Sequence, residues 1–182
     1  MFPELEQARA HLTPFPGRYW IAGGWAVDLH AGSQTRVHKD VEIAIARQDQ
    51  SLLWQLPDLA RIDYIETRVA KPWNGEEIKL PVHEVYCHFN AGYILEILLN
   101  EFDETSWLYR RNKKINLPRD KFPPNGGPLP LEIVLLFKSA PLRDIDEHDF
   151  TVALPLLSNR EKTWLHDAIV LENARHPWLA RL

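Results

Sequence analysis

The sequence YWIAGGWAVDLHAGSQTRVHKDVEIAI, residues 19–45, carries a glycine pair after one apolar run and two acids inside a second apolar run. The glycines are Gly23 and Gly24, and the acids are Asp40 and Glu42. Side chains two positions apart on a β-strand point to the same face, so a strand here would hold the two carboxylates side by side. Like charges at that distance repel, and Mg²⁺, which binds carboxylate oxygens, would relieve the repulsion. Alternating acids on a solvent-facing strand would give the same pattern, and both interpretations are open at this point.

A third acid lies in a later apolar run, GYILEILLN, residues 92–100, where Glu96 is the only charged residue. A buried carboxylate is costly to ionise and is usually paired or bound to a metal. A salt bridge to Arg110 or Arg111, or a place on a solvent-facing edge, would also explain it. Considered with the two earlier acids, however, it would bring three carboxylates from neighbouring strands together. Phosphoryl-transferring enzymes use such a set to hold two metal ions.

The glycine pair lies where a predicted strand turns into a predicted helix. Such a turn lets phosphates approach backbone N–H groups and the positive end of the helix dipole, although glycines are also used there only for a positive φ. Two cations before the second strand, Arg36 and His38, are candidates to meet the phosphates, and Lys138 is a third cation that follows the apolar run IVLLF. A solvated loop and a lysine that reaches solvent from a helix are the alternatives.

Other acids are assigned less specific roles. Asp28 is interpreted as a structural residue of the first helix. Four further acids are predicted to form a solvated helix face: Asp144, Asp146, Glu147 and Asp149. Three acids beyond Glu96 are predicted to line a site for a cationic acceptor: Glu101, Asp103 and Glu104.

Composition limits the classes of function. The chain has 182 residues, a formal net charge of −4 and one cysteine, so it has no basic surplus with which to bind a long nucleic acid and cannot form an internal disulfide. The N-terminal residues lack the pattern of a secretory signal, and no apolar stretch has the length of a membrane span. We therefore predict a soluble, cytoplasmic protein that contacts no membrane and binds a small partner.

The pattern of the chain is mixed α/β up to residue 118 and helical from residue 129, with a proline- and glycine-rich linker between. The predicted helices of the first part are at 4–12, 25–31 and 50–56. The predicted strands are at 18–23, 40–46, 82–89 and 92–100, with edge strands at 106–111 and 113–118. Three helices follow at 129–140, 143–157 and 158–174, and Ser158 with Glu161 makes a capping box for the last.

This combination resembles a known superfamily. The strings GGWAVDLHAG, TRVHKDVEIAI, LEILLNE and LEIVLLFKSA with RDIDEHDF are similar to those of polymerase-β-like nucleotidyltransferases. The nearest branch contains the small aminoglycoside and lincosamide nucleotidyltransferases, which are adenylyltransferase-like. The resemblance runs from Tyr19 to Leu157.

The resemblance implies an α/β (α+β) nucleotidyltransferase domain with a mixed sheet at 1–118 and a helical segment at 129–182. It implies transfer of a nucleoside monophosphate, AMP by preference, from a triphosphate to a hydroxyl of a small acceptor such as an aminoglycoside-like antibiotic. Matched to this sequence, Asp40 and Glu42 would bind two Mg²⁺ ions, and Glu96 would act as a metal ligand or as the general base. Gly23 and Gly24 would join the three cations named above in binding the nucleotide.

Two other functions are compatible with these residues: nucleotide transfer to a protein, as in toxin–antitoxin systems, and a non-catalytic nucleotide-binding protein of the same fold. The intact carboxylates argue against the second. The sequence leaves the oligomeric state open.

Overall fold

The structure is a computed structural model that describes residues 2–182. The chain folds into two compact units. The sheet unit comprises the chain up to Ile21 together with Lys39–Gly127, and the helical unit comprises Ala22–His38 together with Pro128–Leu182. The division after Gly127 lies within the predicted linker, and the helical unit also includes residues 22–38, which sequence analysis assigned to the first domain.

The sheet unit holds one helix and, among the described residues, an eight-stranded sheet. The helix is α1, Pro3–Leu12. The strands are β1 Tyr19–Ile21, β2 Glu42–Ala46, β3 Leu59–Glu66, β4 Val69–Pro72, β5 Glu84–Phe89, β6 Ile94–Phe102, β7 Ser106–Leu108 and β8 Asn116–Pro118. Their order is β1-β2-β6-β5-β3-β4, and β7 pairs with β6 and β8. Only β2 and β6 pair in parallel, so the sheet is mixed, as predicted.

The central strands bury one face and leave the other half-buried. Along β5 and the first part of β6, buried and partly exposed residues alternate. On the buried face lie Val85, Cys87, Leu95 and Ile97, and burial raises the pKa of the Cys87 thiol to about 12. The alternation places the polar residues of these strands together on the opposite face.

The helical unit contains four helices, counted within residues 22–38 and 128–182: α2 Gly23–Ala31, α3 Leu131–Lys138, α4 Asp144–Ala153 and α5 Asn159–Glu172. Helix α3 is buried almost all round and contacts α2, α4 and α5, as expected for a helix whose residues are apolar on every face. Helix α2 ends at Gly32, which has φ 74, and α5 begins with the predicted capping box of Ser158 and Glu161.

Three local predictions differ from the structure. The second strand begins at Glu42, and Asp40 lies in an exposed bend before it. Residues 47–55 form a 3₁₀ segment rather than an α-helix. The edge strands predicted at 106–111 and 113–118 are shorter and comprise only β7 and β8. Sequence analysis assigned no element to residues 61–80, which contribute to β3 and β4. Within residues 2–182, no helix combines the length and the apolar character that crossing a membrane requires.

Candidate active site

The predicted carboxylates meet on the half-buried face of the sheet unit. Glu42 and Glu96 are direct neighbours across the parallel pair β2–β6. On the other side of Glu96, across the antiparallel pair β5–β6, its neighbour is Tyr86. Asp40 precedes β2 by two residues and acts electrostatically on both Glu96 and Tyr86. The structure thus places Glu42 beside Glu96 and leaves Asp40 within electrostatic range of Glu96.

Glu96 is the most perturbed acid of this group. Burial, followed by the negative charges of Glu42, Glu84 and Asp40, raises its pKa to about 8, and a hydrogen bond with Tyr86 lowers it only in part. A salt bridge to an arginine would shift the pKa of a carboxyl downward. The environment of Glu96 therefore resembles that of a proton acceptor that works near neutral pH more than that of a salt-bridged surface acid.

Sequence analysis missed two members of this face, Glu84 and Tyr86. The Tyr86 hydroxyl donates a hydrogen bond to Glu84 Oε1 at 2.6 Å. Burial, that hydrogen bond and the nearby carboxylates raise the pKa of Tyr86, so the phenol stays protonated. The alternation in HEVYCHF, residues 83–89, was the available signal, because it places both side chains on one face of a strand.

The acids of this face do not form a preformed metal site. Across residues 2–182, no group of three or more His, Cys, Asp or Glu side chains is arranged so that it could hold a metal ion. The donor chemistry nonetheless suits Mg²⁺, since carboxylate oxygens are its usual protein ligands and the acids repel one another without a cation. Binding at these residues would require the exposed Asp40 side chain and its neighbours to turn toward one another.

Two of the three acids beyond Glu96, Glu101 and Asp103, make contacts within the sheet unit. Glu101 forms an ion pair with Arg47. Asp103 caps a turn by accepting hydrogen bonds from the backbone N–H groups of Thr105 and Ser106, and these bonds lower its pKa. A place for these residues beside a cationic acceptor stays a prediction.

In the helical unit, the glycine pair packs against the predicted phosphate-binding cations. Gly23 has φ 58, which side chains disfavour. A Cβ at Gly24 would overlap the Arg36 guanidinium and would lie 2.7 Å from His38 Cε1. Gly24 is thus required for a close approach of the Arg36 and His38 side chains to the first turn of α2.

His38 is held by Asp28, which is fully buried. His38 Nε2 lies 2.5 Å from Asp28 Oδ2, and the other oxygen of Asp28 accepts hydrogen bonds from the backbone N–H and the hydroxyl of Thr35. The ring of His38 also packs on Trp25, with 4.2 Å between centroids. These contacts agree with the structural role predicted for Asp28.

Arg36 and Lys138 share one buried carboxylate. The Arg36 guanidinium makes two hydrogen bonds to Asp149, at 2.7 and 2.9 Å, and Lys138 Nζ lies 2.8 Å from Asp149 Oδ2 and 3.2 Å from Asp146 Oδ1. Burial alone would raise the pKa of Asp149, but Arg36 and Lys138 hold it below its usual value. Asp146 and Asp149 are each 1% exposed, so the prediction of a solvated helix face is wrong for them. Lys138 does not extend into solvent either, being 9% exposed.

Replacing Gly24 with Val should weaken binding of Mg²⁺–ATP by about ten- to a hundredfold, because the new side chain displaces Arg36 and His38 and blocks access to the N–H groups of α2. This range corresponds to the loss of one hydrogen bond to a charged group. Isothermal titration measures the affinity, with Ala31→Val in the same helix as the control. Equal affinities of the Gly24 variant and the parent would contradict a nucleotide role for this turn.

Replacing Asp149 with Asn should destabilise the protein by about 3–5 kcal/mol, since removing one member of a buried ion pair leaves its partners uncompensated. Because the pKa of Asp149 is lowered in the folded protein, its stabilising contribution is present above the ordinary pKa and is lost as the pH falls. Urea unfolding at pH 7 measures the change. The exposed Asp167→Asn variant is the control. A loss of stability no larger than in that control would show that the ion pairs of Asp149 do not stabilise the fold.

Comparisons with known proteins agree in the family that they indicate. Residues 4–107 match the family described as aminoglycoside-2''-adenylyltransferase. A lincosamide resistance protein from Staphylococcus haemolyticus is 30% identical over 73 residues, which make up 40% of this chain and 41% of that protein. The chain therefore aligns with less than half the length of this curated relative.

Two solved structures share the fold. The complex of ANT(2'')-Ia with adenylyl-2''-tobramycin has a TM-score of 0.59 at 11% identity, covering 94% of this chain and 99% of that one. The lincosamide antibiotic adenylyltransferase LnuA, bound to lincomycin, has a TM-score of 0.53 at 19% identity, covering 86% and 98%. At these identities the likeness establishes the mixed α/β nucleotidyltransferase fold that the sequence predicted.

Proposed function

Because this chain belongs to the aminoglycoside-2''-adenylyltransferase family, we propose that it transfers a nucleoside monophosphate from a nucleoside triphosphate to a hydroxyl of a small antibiotic-like acceptor. AMP is the proposed group and Mg²⁺–ATP its donor. The observation that carries the proposal is the pairing of Glu42 with Glu96 across β2 and β6, with Asp40 close enough to act on Glu96.

The carboxylates supply the proposed metal ligands. Asp40 and Glu42 would hold Mg²⁺, with Glu96 as a third ligand or as the base. The bound ions supply charge neutralisation for the triphosphate and for the leaving pyrophosphate. Metal binding requires ionised carboxylates, and a bound cation would in turn lower the pKa of Glu96, which is about 8 without a metal.

Glu96 is also the proposed acceptor of the substrate proton. The acceptor hydroxyl oxygen attacks the α-phosphorus, a new P–O bond forms, and the bond to pyrophosphate breaks while the hydroxyl proton passes to the carboxylate. A pKa near the working pH suits a group that must take up and then release a proton. Tyr86 and Glu84 border this carboxylate and would keep it oriented.

The helical unit supplies the proposed nucleotide contacts. Gly23 and Gly24 open the first turn of α2, whose N–H groups favour anions. Arg36 and Lys138 would bind phosphate oxygens while Asp149 fixes their positions, and His38, held by Asp28, would add a further donor. All of these residues belong to the helical unit.

The acceptor is proposed from the relatives, which include an aminoglycoside-modifying and a lincosamide-modifying enzyme. A half-buried face with four carboxylates would favour a cationic, hydroxylated molecule over an anionic one. Aminoglycosides carry several amines and hydroxyls, and lincosamides carry one amine beside a sugar. Both classes therefore have the chemistry that the face would recognise.

Labelled ATP, with Mg²⁺ and separate panels of aminoglycosides, lincosamides and cell protein, tests the proposal. We expect label on an antibiotic together with stoichiometric pyrophosphate, and loss of both in chelator. Label appearing on protein instead would favour the toxin-like alternative. Tight ATP binding without pyrophosphate release on any acceptor would favour a non-catalytic binder.

A further inference from the structure

The sheet unit contains a pocket of about 160 Å³ that none of the proposed transfer residues lines. Its walls come from the start of β1, from the end of β2 and the 3₁₀ segment that follows it, from the end of β6, and from the segment after β8. On β2 the lining residue is Ala46, four positions from Glu42. Four residues of strand span about 13 Å. The pocket is therefore separate from the carboxylates described above.

Three aromatic side chains form the apolar part of this pocket. The ring centroids of Trp20 and Phe102 are 5.7 Å apart, those of Trp20 and Phe122 are 5.0 Å apart, and those of Phe102 and Phe122 are 5.2 Å apart. The indole N–H of Trp20 donates to the Pro123 carbonyl oxygen at 3.1 Å, which fixes the orientation of the ring. Such a cluster suits a flat apolar group, since aromatic rings pack at these separations.

Two guanidinium groups lie over these rings. Arg18 Cζ is 5.1 Å from the centroid of Trp20, and Arg119 Cζ is 5.0 Å from that of Phe102. Cation–π contact and the hydrogen bond from Arg18 to the Pro123 carbonyl oxygen hold the two cations in place. Preformed guanidinium groups bind planar anions with little loss of side-chain freedom.

Arg119 and Arg18 make one wall of the pocket cationic. The Nε atom of Arg119 is buried away from solvent, so a ligand in the pocket would have to use the terminal N–H groups of the guanidinium. These groups donate to carboxylate and phosphate oxygens. The two arginines therefore favour a ligand that carries an anionic oxygen.

The net charge of the pocket limits the charge of the anion that it can bind. Asp49 also lines it, and burial raises the pKa of its carboxyl while Arg119 lowers it. Two guanidinium groups against one carboxylate leave a net charge of about +1 at neutral pH. A monoanion neutralises this charge, whereas a phosphate dianion would leave an excess negative charge in the pocket and would cost more to desolvate.

We propose that this pocket binds a small aromatic carboxylic acid, with the carboxylate accepting hydrogen bonds from Arg119 and Arg18 and the ring packing against Trp20 and Phe122. A guanidinium and a carboxylate form two parallel hydrogen bonds in one plane, which a flat ligand can also occupy. The volume suits a single ring with a short acid chain.

The test uses 3-phenylpropionate as the probe, titrated into the full chain and followed by calorimetry and by tryptophan fluorescence. For a ligand of this size we expect a dissociation constant on the order of 0.1–1 mM. Phenethylamine, which has the same ring and the opposite charge, should not bind, and phenyl phosphate should bind more weakly. Absence of saturable binding of the acid, or equal binding of the amine, would overturn the proposal.

Substitutions of Arg119 test whether 3-phenylpropionate binds in this pocket. Arg119→Gln should weaken binding of 3-phenylpropionate about tenfold or more, and Arg119→Lys, which keeps the charge and loses the planar guanidinium, should have an intermediate affinity. The control is Arg61→Gln, whose side chain is 63% exposed and does not line the pocket. Circular dichroism checks folding, and Arg119→Lys keeps the test valid if the Gln variant unfolds. An affinity of both Arg119 variants equal to that of the Arg61 control would refute the assignment.

The outcome is independent of the transfer reaction. Glu96→Gln, which removes the proposed proton acceptor, should bind 3-phenylpropionate as the parent does. If no acceptor is ever found but the acid binds through Arg119, the pocket proposal stands and the proposed function fails. If transfer is found but the acid does not bind, the proposed function stands and the pocket proposal fails.

Discussion

Replacing Asp40 with Asn, or Glu42 with Gln, should lower nucleotide transfer by at least about 10³-fold while the protein stays folded. Each substitution removes a proposed Mg²⁺ ligand, and a bound metal contributes several kcal/mol to stabilising the transition state of phosphoryl transfer. Each also removes a negative charge beside Glu96, whose pKa both acids raise. Thermal stability should therefore hold or rise, which distinguishes a lost ligand from a lost fold.

Pyrophosphate release measured with saturating Mg²⁺–ATP and acceptor gives the rate, and calorimetry on the same samples gives the stability. The matched control is Glu77→Gln, because the Glu77 side chain belongs to the same unit, is 68% exposed and is absent from the carboxylate face. Near-parental turnover of either variant would mean that the two acids are ordinary surface carboxylates.

Replacing Glu96 with Gln should reduce transfer on the order of 10²-fold or more and leave the affinity for Mg²⁺–ATP nearly unchanged. The first effect is the scale of a lost general base. The second follows if Asp40, Glu42 and the glycine turn carry most of the triphosphate binding. Single-turnover kinetics beside equilibrium titration separates chemistry from binding.

The same variant separates a catalytic role from a structural one. If Glu96 mainly stabilised the fold through Arg110 or Arg111, the Gln variant would melt earlier and transfer at the parental rate. Glu84→Gln is the informative neighbour, since Glu84 raises the pKa of Glu96 without being a proposed ligand. It should shift the pH–rate profile to lower pH rather than abolish activity.

The raised pKa of Glu96 also predicts a pH-dependent stability. The pKa is about 8 in the folded protein against an ordinary value of 4.5, so between these limits the folded state holds a proton that the unfolded chain does not. Stability from this group is complete below the lower value and falls as pH rises toward the upper one. In chelator, Glu96→Gln should therefore gain thermal stability relative to the parent from pH 5 to pH 8, and a constant difference would contradict the raised pKa.

The positions of most strands and helices follow from local patterns. The alternation in residues 82–89 and 92–100 predicted β5 and β6, because side chains of a strand alternate between faces wherever the strand lies. The apolar run of α3 and the capping box of α5 are likewise short-range signals. Asp40 was placed inside β2 for the same reason and lies outside it, since element ends depend on pairing with neighbours that local periodicity does not specify.

The sequence by itself determined the mixed α/β fold, the family, and three acids and a glycine turn as the candidates for chemistry, because these are set by residue type and by spacing along the chain. The tertiary structure decided which side chains meet. Glu84 and Tyr86 join Glu96 only through the pairing of β5 with β6, and Arg36 reaches Asp149 across 113 residues of chain. Burial and the neighbouring charges then set the pKa of each group. The acids around the buried Glu96 raise its pKa, whereas Arg36 and Lys138 pair with the buried Asp149 and lower its pKa. Both effects depend on distance and dielectric in three dimensions, and spacing along a strand or helix does not encode either of them.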